Sequence, residues 1–399
     1  MRFDVDRVRG DFPALQQGIA FFDSPGGSQV PHQVADAVAA TMVAGLANRG
    51  TVTVAEQRAE DVVVRAREAV ADLLGCEAAG VVFGRSMTQV TYDVARALAK
   101  QWAPGDEVVV TRLDHDANIR PWVQAATTAG AEVRWADFDP RTGDLAVDEV
   151  TRHLSGRTRL VAVTAASNVL GTRPDVAAIA AAVHEAGALL YVDGVHLVPH
   201  APVDVHELGA DFLACSPYKF FGPHHGLVAS RPELLEQLRP DKLLPSSDAV
   251  PERLELGTLP YELLAGTTAA VDYLAGLASG AADRRTRVLE SMAAVEQHEA
   301  VLFDRLLTGL REIDRLRLHG SPARRTPTAY FSVEGRSGQE VYEHLAAVGV
   351  NAPASHFYAI EASRHLGLGD GGAVRAGIAP YTNDDDVDRL LDGLRTVAR

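Results

Sequence analysis

Short apolar segments recur along the first two-thirds of the chain and alternate with longer stretches of helical character. The apolar segments that predict strands cover residues 81–83, 108–110, 133–135, 160–163, 189–192, 212–214 and 227–229. Several of them are apolar at consecutive positions, which is typical of strands that are covered on both faces. The intervening stretches, such as the alanine-rich 174–186, predict helices. This alternation indicates an α/β fold with a mostly parallel sheet.

The pattern of apolar positions changes after about residue 265. The elements predicted beyond that point are a long helix over 282–314, a strand over 329–333, a helix over 338–348, a strand over 374–378 and a C-terminal helix with Asn383 as its N-cap. Three aspartates follow Asn383, and acidic residues are common in the first turn of a helix. The different rhythm indicates a smaller α+β domain. We therefore expect a large α/β domain over 20–265 and a small domain formed by 1–19 and 266–399.

The composition is that of a globular protein with an acidic surface. The chain of 399 residues has 38 Lys and Arg against 53 Asp and Glu, which gives a net charge of −15. This excess argues against a nucleic-acid-binding protein, because such proteins hold phosphates with Lys and Arg. The N-terminus lacks the apolar run of a signal peptide, and no apolar stretch is long enough to span a bilayer. We expect a cytoplasmic protein with neither nucleic acid nor a membrane as a partner.

Two ionisable residues stand where predicted strands end. Asp193 closes the strand over 189–192, and Lys219 follows the strand over 212–214 in a loop with aromatic neighbours. A lysine amine can form an imine with an aldehyde cofactor, and a fixed carboxylate can keep a pyridine nitrogen protonated. The alternatives are a surface lysine and an aspartate that caps the next segment. Together, however, the two side chains are the groups that pyridoxal phosphate chemistry needs most.

Polar residues also follow the other predicted strands. Ser86 with Gln89 predicts a capping box after the strand over 81–83, and a helix N-terminus there could bind an anion. His115 follows the next strand and could stack on an aromatic ligand, although a solvated polar loop or a helix cap is an equal interpretation. Asn168, after the strand over 160–163, could bond a ligand oxygen or simply form a turn.

Four further features of the sequence could indicate ligand binding. Arg375, on the predicted strand near the C-terminus, could bind a substrate carboxylate or form a structural ion pair. His224-His225 and the triplet around His115 lack the spacing of a metal site, so we expect no metal. The glycines of 367–372 match G-x-G-x-x-G only formally, because no helix is predicted to follow them within a βαβ unit.

The order of these features along the chain resembles the fold type I enzymes that depend on pyridoxal 5′-phosphate. Within them the chain is similar to the class V aminotransferase family, close to its cysteine desulfurase-like branch. The resemblance covers nearly the whole chain, from 22–27 to Arg375, and is most specific between Asp193 and Lys219.

The resemblance implies a role for each candidate residue. Lys219 would anchor the cofactor covalently and carry protons, Asp193 would pair with its pyridinium nitrogen, and His115 would stack on its ring. Asn168 and His196 would lie near the ring hydroxyl, and Arg375 would bind the substrate carboxylate. The implied ligands of the cofactor phosphate are Ser86, Met87, Thr88 and Ser216. Analogy also places Gly26 and Gly27, with Ser24, Arg49, His356 and Tyr358, near the substrate. Thr258 matches a segment that reaches the phosphate from the neighbouring subunit, so the resemblance implies a homodimer with shared active sites.

Two departures from the desulfurase pattern bear on the reaction. Tyr218 precedes the lysine where many of these enzymes have histidine, and the segment 351–358 lacks the cysteine that would attack the substrate sulfur. The two cysteines of the chain, Cys76 and Cys215, lie elsewhere. We therefore expect β-elimination from cysteine or a cysteine conjugate, with transamination and epimerisation of an amino acid as alternatives. A non-catalytic relative that keeps the fold for binding is the remaining alternative.

Overall fold

The computed structural model describes residues 3–278, 280 and 283–399, which contain 13 strands and 14 α-helices. The strands are β1 (Ala20–Phe21), β2 (Val81–Gly84), β3 (Glu107–Thr111), β4 (Glu132–Ala136), β5 (Thr158–Thr164), β6 (Leu189–Asp193), β7 (Phe212–Cys215), β8 (Gly226–Ser230), β9 (Leu316–Leu318), β10 (Thr328–Val333), β11 (Val350–Asn351), β12 (Ala354–Ser355) and β13 (Ala373–Gly377). The helices are α1 (Val5–Gly10), α2 (His32–Met42), α3 (Val54–Leu74), α4 (Met87–Ala99), α5 (Arg120–Ala129), α6 (Val147–Thr151), α7 (Val176–Glu185), α8 (Val205–Leu208), α9 (Pro232–Gln237), α10 (Tyr261–Ala275), α11 (Arg284–Arg311), α12 (Gly338–Ala347), α13 (Ile360–His365) and α14 (Asp384–Val397).

Strands β2 to β8 form one seven-stranded sheet in the order β2-β8-β7-β6-β5-β3-β4. The five adjacent strands β7, β6, β5, β3 and β4 all run parallel to one another. Strand β8 is antiparallel to both of its neighbours, β7 and β2. All seven strands predicted for this part of the chain are present with slightly wider bounds. The expected mostly parallel α/β sheet is therefore confirmed.

The reversal of strand order between β3 and β5 positions a site. Strand β4 lies on one side of β3, while β5, β6 and β7 follow on the other. Loops that leave the carboxyl ends of strands at such a point diverge to opposite faces and leave a crevice between them. The residues that follow β3, β5, β6 and β7 therefore meet at one edge of the sheet.

The C-terminal part of the chain forms a smaller sheet in the order β12-β13-β10-β9, with all three pairs antiparallel. The strands predicted over 329–333 and 374–378 are β10 and β13, and Tyr330 is paired with Arg375 across them. The predicted N-cap of the last helix is also present, because Asn383 accepts a hydrogen bond from the Asp386 backbone amide. Strands β1 and β11 form a two-stranded parallel pair, and Asp23, just after β1, bridges to Gly377 at the end of β13.

Two helices connect the two parts of the chain. Helix α10 runs across residue 265, where the domain boundary was predicted. Helix α11 packs Val288, Met292 and Val295 into the apolar cluster of the large sheet, and Leu302 and Leu306 into that of the small sheet. The division into domains at these exact bounds stays a prediction. None of the described helices combines the length and the apolarity that crossing a bilayer requires.

Candidate active site

The carboxyl ends of β3, β5, β6 and β7 open into a cavity of about 830 Å³. The predicted site residues that line it are Gly26, Ser86, Met87, Thr88, His115, Asn168, Asp193, His196, Ser216, Lys219 and Arg375. Gly27 and Thr258 do not line it: Gly27 lies against the ring of Tyr218, and Thr258 is exposed. The fold thus brings together residues that are up to 349 positions apart in sequence, since Gly26 and Arg375 share one wall.

Lys219 is held in the cavity by the short 3₁₀ turn Pro217–Lys219 that follows β7. Its amine donates a hydrogen bond to the carbonyl oxygen of Pro25. Burial and then the charge of Arg375 lower the pKa of Lys219 to about 7, although Asp193 and Asp23 act in the opposite direction. A large fraction of the amine is therefore unprotonated near neutral pH, as a nucleophilic lysine requires.

Asp193, the last residue of β6, is 4% exposed. One carboxylate oxygen accepts a hydrogen bond of 2.9 Å from the Val195 backbone amide. Burial raises the pKa of Asp193 to about 6, while this hydrogen bond and the charge of Lys219 lower it. The carboxylate is thus held at a position where a cationic ligand atom would compensate for the loss of water.

The imidazole of His115 stacks on Tyr358, with the ring centres 5.6 Å apart. Its Nδ1 accepts a hydrogen bond of 3.0 Å from the Ala117 amide, so the neutral ring carries its proton on Nε2. Burial and then the charges of Lys219 and Arg375 lower the pKa of His115 to about 3. The ring is therefore neutral at physiological pH.

Asp114 and Asp116, on either side of His115, each bond other protein side chains. Asp114 is fully buried and accepts hydrogen bonds from Thr111 and from Asn118, the latter at 2.7 Å. Asp116 forms an ion pair of 2.8 Å with Arg120. Within residues 3–278, 280 and 283–399, no cluster of His, Cys, Asp and Glu is arranged to hold a metal ion.

The N-terminus of α4 forms one end of the cavity. Ser86 caps this helix by accepting a hydrogen bond of 3.1 Å from the Gln89 amide. The Gln89 side chain, however, bonds Asp93 at 3.3 Å, so the predicted capping box is wrong in its reciprocal half. Gly226 of β8 packs directly on the Met87 amide nitrogen, where any Cβ would overlap it. Free amide groups at the start of a helix favour an anionic ligand.

Arg375 lies in β13 and is 2% exposed. Its Nη1 donates a hydrogen bond of 3.0 Å to the Asn168 carbonyl oxygen, and its guanidinium carbon lies 3.7 Å from the centre of the Phe357 ring. Burial lowers the pKa of Arg375 to about 9, with Asp23 acting against this shift. The guanidinium thus remains cationic at neutral pH and is matched to a carboxylate ligand.

Three buried polar atoms of the predicted site residues on the cavity wall have no hydrogen-bond partner among the described residues. They are Asn168 Oδ1, His196 Nδ1 and Arg375 Nε. An unsatisfied buried polar group costs about 1–3 kcal/mol, so this wall fits a polar ligand. A reactive amine, a buried carboxylate, a neutral stacking ring and a helix N-terminus fit the aldehyde, the pyridine nitrogen, the ring and the phosphate of pyridoxal 5′-phosphate, respectively.

Some residues on the wall were not among the predicted site residues. Tyr218 lines the cavity with its ring centre 5.0 Å from the Lys219 amine, and Phe357 covers Arg375. Adjacency to the lysine was the available signal for Tyr218, whereas nothing local marks Phe357. Among the residues placed by analogy, Tyr358 lines the cavity, but Arg49 instead pairs with Glu60 and Glu252. Ser24 and His356 do not line the cavity either.

Neither cysteine lines this cavity. Cys215 ends β7 and is completely buried, and Cys76 lies beyond the N-terminus of β2. Burial raises the pKa of the Cys76 thiol to about 12, so a thiolate is strongly disfavoured there. A sulfur nucleophile supplied by this chain is thus not positioned at the site.

Comparisons with known proteins agree with this geometry. The family model "Aminotransferase class-V" matches residues 20–390. An aminotransferase-like protein of Gibberella zeae is 34% identical over 99% of this chain and 98% of its own length, and a cysteine desulfurase of Pectobacterium atrosepticum is 32% identical over 100% and 99%. A crystal structure of an Escherichia coli cysteine desulfurase, 28% identical, superimposes with a TM-score of 0.86 over 99% of this chain and 98% of that one, which confirms the expected fold type I architecture. The chain belongs to the class V aminotransferase family, whose members are enzymes that depend on pyridoxal phosphate.

Proposed function

We propose that this protein binds pyridoxal 5′-phosphate through Lys219 and cleaves the Cβ–S bond of cysteine or a cysteine conjugate by β-elimination. The observation that carries the proposal is the amine of Lys219, with a pKa near neutrality, in one cavity with buried Asp193 and Arg375. The similarity to cysteine desulfurases over the full chain supports sulfur chemistry.

The residues that would hold the cofactor are those of the cavity wall. They are Lys219 for the aldehyde, Asp193 for the pyridine nitrogen, His115 for the ring face, Asn168 and His196 for the ring hydroxyl, and Ser86, Met87, Thr88 and Ser216 for the phosphate. A neutral His115 can stack on a cationic pyridine ring without charge repulsion. When bound, the cofactor supplies an electron-accepting ring that makes the α-proton of an amino acid removable.

The remaining steps fall to side chains of this chain. Arg375 binds the substrate carboxylate beside Gly26, whose missing side chain leaves room next to the guanidinium. The freed Lys219 amine takes the α-proton, because its pKa near 7 leaves it able to accept one. Loss of the sulfur substituent as a thiolate needs no protein thiol, in agreement with the positions of Cys76 and Cys215. Overall, the cysteine conjugate and one water give pyruvate, ammonia and the thiol.

A homodimer with shared active sites is part of this proposal. Thr258 is exposed and does not line the cavity of its own chain, which leaves it accessible to the phosphate site of a second copy. Two exposed apolar side chains that precede Thr258 in the sequence support association: Leu256 is 48% exposed and Leu244 is 98% exposed. Analytical ultracentrifugation of wild type and of Thr258→Ala, with cofactor retention as the second measurement, tests this arrangement.

Two measurements test the proposed function. Purified protein should be yellow, and borohydride reduction should attach the cofactor to the peptide that contains Lys219; Lys219→Ala is the control that should remain unmodified. A colourless, unmodified protein would instead favour a non-catalytic relative of the fold. Incubation with cysteine conjugates should release pyruvate and a thiol in equal amounts.

The alternatives give different products from the same cavity. The aminotransferase-like relative keeps transamination open, and this reaction would release a keto acid only when an amino acceptor is added. Epimerisation would exchange the α-hydrogen with solvent and invert the substrate without releasing any keto acid. Product analysis by mass spectrometry and chiral chromatography therefore separates the three reactions.

A further inference from the structure

A series of buried ionisable side chains leads away from the cavity at His196. His196, His200 and Glu299 are each at most 3% exposed. The two histidines lie four residues apart on a helical turn, in which the Val198 amide donates to the Gly194 carbonyl oxygen. Residues with this spacing share a helix face, so both rings point the same way.

The contacts between these groups are specific. His200 Nδ1 lies 2.9 Å from Glu299 Oε2, and the rings of His196 and His200 are edge to face with centres 5.0 Å apart. His196 Nε2 lies 2.9 Å from the Thr328 hydroxyl. Each of these three side chains has a second polar atom with no hydrogen-bond partner among the described residues. These atoms are His196 Nδ1, His200 Nε2 and Glu299 Oε1.

Stability does not account for this arrangement. A buried acid–base pair loses its hydration, and apolar side chains of similar volume often stabilise a fold at least as well. Burial raises the pKa of Glu299, with the charge of Glu296 adding to the shift and His200 opposing it. Ionisable groups kept at such a position, one contact away from a catalytic cavity, indicate a role in the chemistry of the cavity.

The surroundings of the Thr328 hydroxyl favour one tautomer of His196. His196 Nε2 is the one acceptor that this hydroxyl has among the described residues, so we assign the hydroxyl as the donor and Nε2 as the acceptor. The proton of a neutral His196 then sits on Nδ1, the unpartnered nitrogen. Burial and the positive charges of His200, Lys219 and Arg375 hold the pKa of His196 well below its ordinary value, so the ring stays neutral.

We propose that His200 and Glu299 are positioning residues that hold the ring of His196 in place, with its Nδ1–H as a hydrogen-bond donor to the ring oxygen of the bound cofactor. The inference rests on the proposed function, because it requires pyridoxal phosphate in the cavity. Glu299 bonds His200 Nδ1, and the His200 ring packs edge to face against the His196 ring, so the pair holds His196 in the position from which its Nδ1–H stabilises negative charge on the ring oxygen. Removal of the Glu299 carboxylate loosens this packing and weakens that stabilisation.

The visible absorption of the holoenzyme, measured against pH, tests this role. In Glu299→Gln and His200→Asn, the midpoint at which the bound chromophore takes up a proton should move to higher pH by up to about one unit, a tenfold change in proton affinity. Cofactor stoichiometry should be unchanged. Glu299→Asp, which keeps the carboxylate, should lie closer to wild type.

Asp304→Asn is the matched control. Asp304 is an exposed carboxylate on the same helix as Glu299, so the loss of its charge should leave the midpoint unchanged. A yellow Glu299→Gln protein with the wild-type midpoint would overturn the inference while leaving the proposed function intact. A colourless wild-type protein would reject the proposed function, and the inference with it.

A second measurement needs no substitution. Nitrogen-15 NMR of the histidine rings in the wild-type holoenzyme should show His196 protonated on Nδ1 and not on Nε2. Protonation on Nε2, or on both nitrogens, at neutral pH would overturn the inference even if every variant failed to fold.

Discussion

The ring of Phe357 covers the guanidinium of Arg375, with the guanidinium carbon 3.7 Å from the ring centre. Phe357 and Tyr358 adopt the left-handed conformation, with φ of 49° and 59°, which disfavours residues other than glycine by about 1–2 kcal/mol. Two hydrogen bonds hold them there. The side-chain amide of Asn168 donates to the Phe357 carbonyl oxygen at 2.9 Å, and the backbone amide of Asp116 donates to the Tyr358 carbonyl oxygen at 2.8 Å. The segment is thus fixed over Arg375 and excludes water from one face of the guanidinium.

Replacement of Phe357 by alanine should weaken the binding of the substrate carboxylate. A cation–π contact with a desolvated guanidinium is worth about 0.5–2 kcal/mol, so KM should rise roughly 2- to 30-fold while kcat changes less. Steady-state kinetics with an amino-acid substrate measure this, and Phe357→Tyr, which keeps the aromatic face, is the control. An unchanged KM in the alanine variant would show that the ring does not assist Arg375.

The pKa of Lys219 near 7 predicts how the apoprotein takes up its cofactor at different pH. Below this pKa, the unprotonated fraction rises about tenfold per pH unit, and above it the fraction levels off. The rate of covalent capture of pyridoxal phosphate should therefore rise up to about pH 7 and then become constant. Stopped-flow absorbance measures this rate. Asp193→Asn should move the inflection of the pH–rate curve to lower pH, because the variant lacks a carboxylate that stabilises the protonated amine of Lys219. A rate that keeps rising to about pH 10 would indicate an ordinary, hydrated lysine.

Much of the large sheet could be predicted from local sequence because its strands are continuous apolar runs. Strands β5 and β6 are almost fully buried, and such strands carry a strong signal in a short window. The carboxyl ends of these strands also marked Asn168 and Asp193 as candidates. The antiparallel position of β8 between β7 and β2 could not be predicted, because strand order depends on pairing between segments that are distant in sequence.

The contacts that shape the site are likewise non-local. His200 and Glu299 are 99 residues apart and come from a turn after β6 and from α11, so no short window contains both. The reciprocal half of the Ser86 capping box failed because Gln89 found Asp93 within its own helix, a competitor that the spacing rule ignores. Side-chain partners of this kind are decided by packing after the elements are placed.

Asp193→Asn should change stability and activity in opposite directions. Burial raises the pKa of Asp193 from 3.8 to about 6, so the folded protein binds the proton of this carboxyl more tightly than the unfolded chain does. The stability that this proton binding contributes is fully present below about pH 4 and is lost as pH rises through 6. At neutral pH the asparagine apoprotein should therefore be more stable than wild type, by up to about 3 kcal/mol. Urea unfolding of both apoproteins at several pH values measures the difference, which should shrink toward pH 4. Activity of the loaded variant should fall steeply, and a destabilised, active variant would contradict the assigned role.

Ser86→Ala should separate the two roles that the start of α4 combines. Loss of the hydrogen bond to the Gln89 amide should lower the free energy of unfolding by about 1 kcal/mol, as is usual for an N-cap. If Ser86 also contacts the phosphate, the dissociation constant of the cofactor should rise several-fold in addition. Ser337→Ala is the matched control, because Ser337 caps α12 through the Glu340 amide and does not line the cavity, so it should lose similar stability without changing cofactor affinity. Fluorescence titration of both apoproteins measures their affinity for the cofactor. Equal cofactor affinities in the two variants would show that Ser86 only caps the helix and does not contact the phosphate.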